Sequence, residues 1–260
     1  MPTPEVLFEV AGPAAYLTFN RPQARNALTW AMYDGLANAC DRVDADPGVC
    51  AFVLRAAGGA FAAGTDIGQF TAFQTAADGV AYERRLDAVL DRLEAVQVPT
   101  IAQVEGVAAG GGCAIALACD LRVCTDGATF GVPIARTLGN CLSPDTCARL
   151  VDLIGLARTR DLLITGRFLA AAEAQSLGLV TRLAAPDEIE AAVRELVETL
   201  ATHAPLTIRA TRQTLRRIAA HRRPDRSAAD DLIALCYGSA DFREGVAAFL
   251  ARRRPRFTGR

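Results

Sequence analysis

The feature that most limits the fold is a change of rhythm along the chain. Between Val6 and Cys124, short apolar segments of strand character alternate with helical ones. After about Pro144 the strand signals fade and helices follow one another. Val6–Val10 and Ala14–Phe19, separated by Gly12-Pro13, read as two alternating strands. Thr29 is placed to cap a helix over Trp30–Val43, and Cys50–Ala56 is a compact apolar strand ended by Gly58-Gly59. Val80–Val96 puts Leu86, Val89, Leu90 and Leu93 on one helical face. Pro99 stops that helix, and Thr100–Val104 is the next strand. Gly110–Ala118 then reads as a helix and Leu121–Cys124 as a strand. Such alternation predicts βαβ units on a largely parallel sheet, an α/β architecture.

Helices are expected further on at Asp145–Leu153, Arg158–Ile164, Ala171–Ser176, Pro186–Thr202, Leu206–Ala220, Ala228–Cys236 and Asp241–Arg252. A helical last third has to pack on the core, on a neighbouring subunit, or on both.

Composition removes several function classes. Aromatics are few, so the core is built from Ala, Val, Leu and Ile, as in an ordinary α/β protein. A net charge of −1 gives no general attraction to nucleic acid or membrane. All 28 basic residues are Arg. Schiff-base chemistry and a phosphate-loop lysine are therefore excluded. From Ala201 onward 13 Arg stand against 5 acidic residues, finishing in Arg252-Arg253-Arg254-Pro255-Arg256. Either a solvated helix face with a tail or a phosphate contact accounts for them.

The eight cysteines form no C-x-x-C pair and no zinc spacing, so no metal site is expected. Residues 1–10 have neither a basic region nor an apolar core of the secretory kind. Val107–Cys119, the longest apolar run, is too short and too glycine-rich to span a bilayer. A cytoplasmic protein with reduced thiols is the expectation.

Two glycine-bearing turns carry the chemical signal. Phe61-Ala62-Ala63-Gly64-Thr65-Asp66 follows one predicted strand, and Gly110-Gly111-Gly112-Cys113 follows another. Both lie just beyond strand carboxyl ends, where open α/β folds bind ligands. The first-turn N–H groups of a helix starting near Gly110 lack intrahelical partners and sit at the positive end of the dipole. An oxygen gaining negative charge would be stabilised there. Taken alone, the three glycines equally suit tight helix–strand packing. G-x-G-x-x-G is absent, which argues against a nicotinamide cofactor.

In order and spacing these segments resemble the crotonase superfamily, the enoyl-CoA hydratases and isomerases. The resemblance rests on Asn20-Arg21-Pro22 with Ala24-Arg25-Asn26-Ala27-Leu28, Gly59 through Ile67, Pro99-Thr100-Ile101-Ala102 and Gly110-Gly111-Gly112-Cys113. It continues through Ala118-Cys119-Asp120-Leu121-Arg122, Thr165-Gly166, Glu173-Ala174, Gly178-Leu179-Val180 and Asp241 through Gly245, and so covers essentially the whole chain. It implies a crotonase-like ββα spiral over residues 1–195 and a helical C-terminal region, residues 196–260, that makes trimers or hexamers.

The resemblance further implies an acyl-CoA thioester as substrate, with no cofactor beyond the coenzyme A it carries. The backbone N–H groups of Thr65 and Gly111 would form the oxyanion hole. Ala24, Arg25, Ala63, Asp66 and Ile67 would hold coenzyme A, with Phe249 and Arg252 reaching a neighbour's. Gly68 stands where many members have a Lys, and Arg252 replaces another, which weakens the phosphate contacts. An apolar stripe in Val246, Phe249 and Leu250 is read as a subunit contact.

Hydratases of this superfamily use two Glu residues, whose positions here hold Ala114 and Ile134. Neither moves a proton. The loop from Arg136 to Asp145 offers substitutes: Asn140 as a donor, Cys141 as a nucleophile and Asp145 as a base. Against these stand a packed thiol for Cys141 and a helix cap for Asp145. Asp66 equally reads as a cap, and His203 and His221 as surface residues. An acyl-CoA enzyme with a non-standard proton-transfer group is expected. A catalytically silent acyl-CoA-binding protein and a thioesterase or decarboxylase remain as alternatives.

Overall fold

The computed structural model describes residues 4–260. Strands β1 (Val6–Ala11) and β2 (Ala14–Phe19) form an antiparallel hairpin, and α1 (Trp30–Ala45) follows. Thr29 caps α1, its hydroxyl accepting the Met32 N–H. Met32, Leu36, Cys40 and Val43 recur at helical spacing and are all buried. Next come β3 (Ala51–Ala56), α2 (Ala76–Glu94), β4 (Thr100–Val104), β5 (Val107–Ala109), α3 (Gly111–Ala118), β6 (Leu121–Thr125) and β7 (Thr129–Gly131). The chain continues through α4 (Ile134–Thr137), α5 (Pro144–Ile154), α6 (Leu156–Thr165), β8 (Phe168–Ala170), α7 (Ala171–Ser176) and β9 (Arg182–Ala184). Four helices end it: α8 (Ile189–Ala201), α9 (Pro205–Arg222), α10 (Asp230–Tyr237) and α11 (Ala240–Leu250).

Six strands make the main sheet in the order β1-β2-β3-β4-β6-β9, parallel apart from the first pair. Its two faces are both covered, and alternate residues divide between them. Phe52 and Leu54 join the core under α1, α2 and α3, whereas Ala51 and Val53 pack with Ile101 and Val123 against Ile189, Val193 and Val197 of α8. Every residue of β4 is buried, as a central strand covered on both sides requires.

A second, three-stranded sheet, β5-β7-β8, branches off after β4. Gly106 makes the departure possible: its φ is +61°, and a Cβ there would lie 2.1 Å from the carbonyl oxygen of Gly59. β8 in the small sheet and β9 at the edge of the main sheet both lie beyond Pro144, where the strand signal fades in the sequence. These strands, like β5 and β7, have three residues each, too few to display a period.

Ile233, Tyr237, Phe242 and Val246 of the last helices belong to the same hydrophobic cluster as β2 and α1. Residue 195 lies inside α8. Helix α9 contributes no buried residue at all. Among the described residues, no helix is long and apolar enough to cross a membrane.

Candidate active site

The loop after β2 is set by Asn26, which is buried and has φ +54°. Its amide donates to the carbonyls of Ala57 and Ala60, both at 2.8 Å, and its Oδ1 accepts the Arg21 N–H. Three hydrogen bonds fix this short segment beside the first glycine-bearing turn. The Ala63 N–H donates to the Arg25 carbonyl at 3.0 Å, so Ala24 and Arg25 sit directly against that turn.

Thr65 forms a parallel bridge with Leu28. The Leu28 N–H donates to the Gly64 carbonyl, and the Asp66 N–H donates to the Leu28 carbonyl. Because extended residues alternate the direction of their polar groups, the Thr65 N–H points the opposite way from its neighbours' bonds. It has no acceptor among the described residues.

The second turn is tied to the first. The Ala62 N–H donates to the Val107 carbonyl and the Ala109 N–H to the Ala62 carbonyl. Gly110, with φ +48°, then turns the chain into α3. Gly111, the first residue of that helix, has an N–H with no acceptor either, as expected at a helix start. At the other end of α3, the buried Arg122 guanidinium donates to the carbonyls of Ala116 and Cys119, complementing the negative end of the dipole.

Behind the two free N–H groups lies a chain of hydroxyls. Tyr33 Oη is 2.7 Å from Thr65 Oγ1, which is 2.8 Å from Tyr82 Oη. Burial raises both phenol pKa values, so the hydroxyls keep their protons. A Cβ on Gly111 would fall 2.3 Å from Tyr33 Oη and 3.0 Å from Thr65 Oγ1. Only glycine leaves room for this network.

These groups border a cleft of about 470 Å³. It collects most of the residues singled out in the sequence: Ala24, Arg25, Ala63, Thr65, Asp66, Ile67, Gly111, Asn140 and Phe249. Ala114 and Ile134 line it as well and present only hydrocarbon to it. Asp66 caps the turn of 3-10 helix Ile67–Ala72 and pairs with Arg21 at 2.6 Å.

Three residues are placed elsewhere. The Cys141 thiol is directed at the Leu232 carbonyl, 3.7 Å away, and burial raises its pKa, which disfavours a thiolate. Asp145 is buried outside the cleft beside Arg226, and the cap of α5 is Ser143, whose hydroxyl accepts the Thr146 N–H. Arg252 is exposed in the turn beyond α11. His203 and His221 are both exposed, in line with their reading as surface residues.

One cleft residue went unnoticed in the sequence: Glu83 of α2, 2% exposed. Tyr237 Oη donates to its Oε1 at 2.6 Å and the Ser143 N–H to its Oε2 at 3.1 Å. Burial pushes its pKa up to about 8, against the pull of the Tyr237 hydrogen bond. The sequence carried a signal. Glu83 lies three residues before Leu86 and seven before Leu90, squarely on the apolar stripe of α2.

The arrangement is a parallel sheet with two glycine-bearing turns at its strand ends, which is the crotonase spiral. The family model for enoyl-CoA hydratase/isomerase matches residues 10–260, and the chain belongs to that family. A probable enoyl-CoA hydratase of Mycobacterium tuberculosis is 34% identical over 98% of each chain. A short-chain-enoyl-CoA hydratase of Clostridium acetobutylicum is 30% identical over 96% of this chain and 95% of its own. Among solved structures, an enoyl-CoA hydratase/carnithine racemase from Magnetospirillum magneticum matches with a TM-score of 0.80 at 32% identity, covering 100% of this chain and 97% of its own. A methylmalonyl-CoA decarboxylase in complex with 2-nitronate-propionyl-CoA matches with a TM-score of 0.90 over 98% of each chain; at 24% identity this is a likeness of fold.

Proposed function

We propose that this chain binds an acyl-CoA thioester in the cleft and polarises its carbonyl between the backbone N–H groups of Thr65 and Gly111. One observation carries the reading: two backbone donors without acceptors border the same cleft, one of them at the start of α3. Donors fixed by the fold stabilise an enolate oxygen without reorganising as charge develops. The relatives' names, enoyl-CoA hydratases, support the same choice. Coenzyme A enters as part of the substrate, its adenine and pantetheine lying along Ala24, Arg25, Ala63, Asp66 and Ile67.

Calorimetry with butyryl-CoA and with butyrate tests the binding. Tighter binding of the thioester is expected; equal affinity, or none, would remove the premise.

A second reading, a silent acyl-CoA-binding protein, is favoured by one fact alone, the hydrocarbon side chains of Ala114 and Ile134. Glu83 on the same wall weighs against it.

Assembly into a trimer or hexamer is part of the proposal, and of the stripe read in the sequence Phe249 and Leu250 remain open to a neighbour. Val246 is buried in the core, while Phe249 and Leu250 line the cleft. Phe249 and Leu250 are about half exposed, and further apolar residues are exposed earlier in the chain: Leu206, Leu215 and Ile218 of α9 and Leu232 and Leu235 of α10. Helix α9, with nothing buried, is the element best placed to meet a second copy.

A further inference from the structure

The cleft has lost both of the family's carboxylate positions and holds another carboxyl where none was expected. Of the two acidic residues that line it, Asp66 is committed elsewhere. It pairs with Arg21 and accepts the Gly68 N–H at 3.0 Å. Glu83 is different in kind. Among the described residues no cation pairs with it; its partners are a phenol and a backbone N–H, one on each oxygen. Each oxygen therefore keeps a lone pair free for a further bond.

A relay stands behind it. Asn140 Nδ2 donates to Tyr237 Oη at 3.0 Å, and Tyr237 Oη donates to Glu83. Asn140 itself lines the cleft, and its Oδ1 is buried with no partner among the described residues. A buried acceptor left open is costly unless something fills it. Glu83 and Asn140 are thus two polar groups on one wall, joined through Tyr237, facing a space otherwise bordered there by Leu86, Ala114 and Ile134.

We propose that Glu83 is the proton-transfer residue of this chain, held by Tyr237 and Ser143, and that it shuttles one proton between two carbons of a 3-enoyl thioester. The proposal rests on the acyl-thioester reading above. One carboxyl suffices for such a shift, whereas hydration in this family draws on two. The Glu83 carboxylate removes a proton from C2, breaking the C–H bond. The electron pair spreads over C2, C3 and C4 and the thioester oxygen, which lies between the N–H groups of Thr65 and Gly111. The proton now on Glu83 is delivered to C4, giving the 2-enoyl thioester and restoring the carboxylate. No oxidant, reductant or water is consumed.

The titratable groups around Glu83 are Tyr33 from α1, Tyr82 and Asp87 on α2, Tyr237 from α10, and the thiols of Cys141 and Cys147. None supplies positive charge; Arg149 and Arg226 face Asp87 instead. Glu83 is therefore held as the acid at neutral pH and becomes the base as pH rises through about 8. The rate should climb along that limb.

The test follows conversion of trans-3-hexenoyl-CoA to the 2-enoyl thioester from about pH 6 to about pH 9, with calorimetry of the same ligand, for the native protein, Glu83→Gln and Tyr237→Phe. Glu83→Gln should bind comparably and isomerise at least about a hundredfold more slowly, the usual share of a positioned acid or base. Tyr237→Phe keeps the carboxyl but removes a hydrogen bond that favours its charged form, so the rising limb should move to higher pH. This arm decides the matter if Glu83→Gln does not fold. A Glu83→Gln rate equal to native, an unmoved limb in Tyr237→Phe, or a native protein that binds the ligand yet never isomerises it would each overturn the proposal. Failure of the native protein to bind at all would instead bring down the thioester reading beneath it.

Discussion

The two walls of the cleft were built under different constraints. The wall holding Thr65 and Gly111 is made of backbone, and its parts are locked together: Ala62 bonds to Val107 and Ala109, and a Cβ on Gly111 has no place beside Tyr33. The second wall is made of side chains on α2, α3 and α4, where Ala114, Ile134 and Glu83 meet the cavity. Backbone donors cannot be changed without changing the fold. Side chains on a helix can be exchanged one at a time. The contrast shows why, on the reading proposed above, the carbonyl-polarising part of the site is tied to the fold while the proton-transfer part is not, and why the fold by itself does not name the reaction.

Rebuilding the second wall should have the largest effect. Native protein should hydrate crotonyl-CoA slowly or not at all, because a positioned acid or base typically supplies about 10²–10⁴-fold and the resemblance puts Ala114 and Ile134 where hydratases carry carboxylates. The double substitution Ala114→Glu, Ile134→Glu should raise hydration by a factor in that range if the first wall is intact. Rapid hydration by the native protein would show that one carboxyl, Glu83, does work assigned here to two.

The same contrast decided what could be read from the sequence. Thr100–Val104 and Gly111 were legible because a five-residue apolar strand and a glycine run after it carry their own periodicity and punctuation. The strands β5, β7, β8 and β9 were not, since three residues exist as strands only by pairing with a neighbour. Glu83 was hidden for a related reason. A carboxylate on a helix is usually solvated, and only the tertiary packing of Tyr237 and Ser143 makes it a buried acid. Cys141 and Asp145 show the converse error. Cys141, on the loop next to the site, and Asp145, in the first turn of α5, turn toward Leu232 and Arg226 where α10 and the segment before it pack.

A smaller effect is expected from disturbing the first wall. Gly111→Ala would push a methyl group into the hydroxyl chain, shifting Tyr33 or tilting the start of α3. Loss of one oxyanion donor costs about 10²–10³ in turnover elsewhere, and a similar fall is expected here. Steady-state kinetics on trans-3-hexenoyl-CoA, with circular dichroism to verify folding, would measure it. A Gly111→Ala protein with native kinetics would mean that the added methyl leaves this N–H in place, against the tight fit beside Tyr33 and Thr65.

The mildest change separates the donors from the hydroxyls that support them. Thr65 Oγ1 has two neighbours, Tyr33 and Tyr82, at nearly equal distances, so one hydroxyl proton serves as donor to one phenol while the other phenol donates back. Tyr82→Phe removes a single member of this chain and leaves the ring packed against Phe70 and Trp30. A hydrogen bond of this kind contributes about 0.5–1.5 kcal/mol net, so a drop in stability of that size should appear in urea denaturation. The N–H of Thr65 is held by the backbone bonds of Gly64 and Asp66 to Leu28, which the substitution does not touch. Turnover should therefore fall far less than in Gly111→Ala, and acyl-CoA affinity should stay close to native. A loss of turnover as large as that of Gly111→Ala would show that the side-chain chain, rather than the backbone frame, sets the geometry of the first wall.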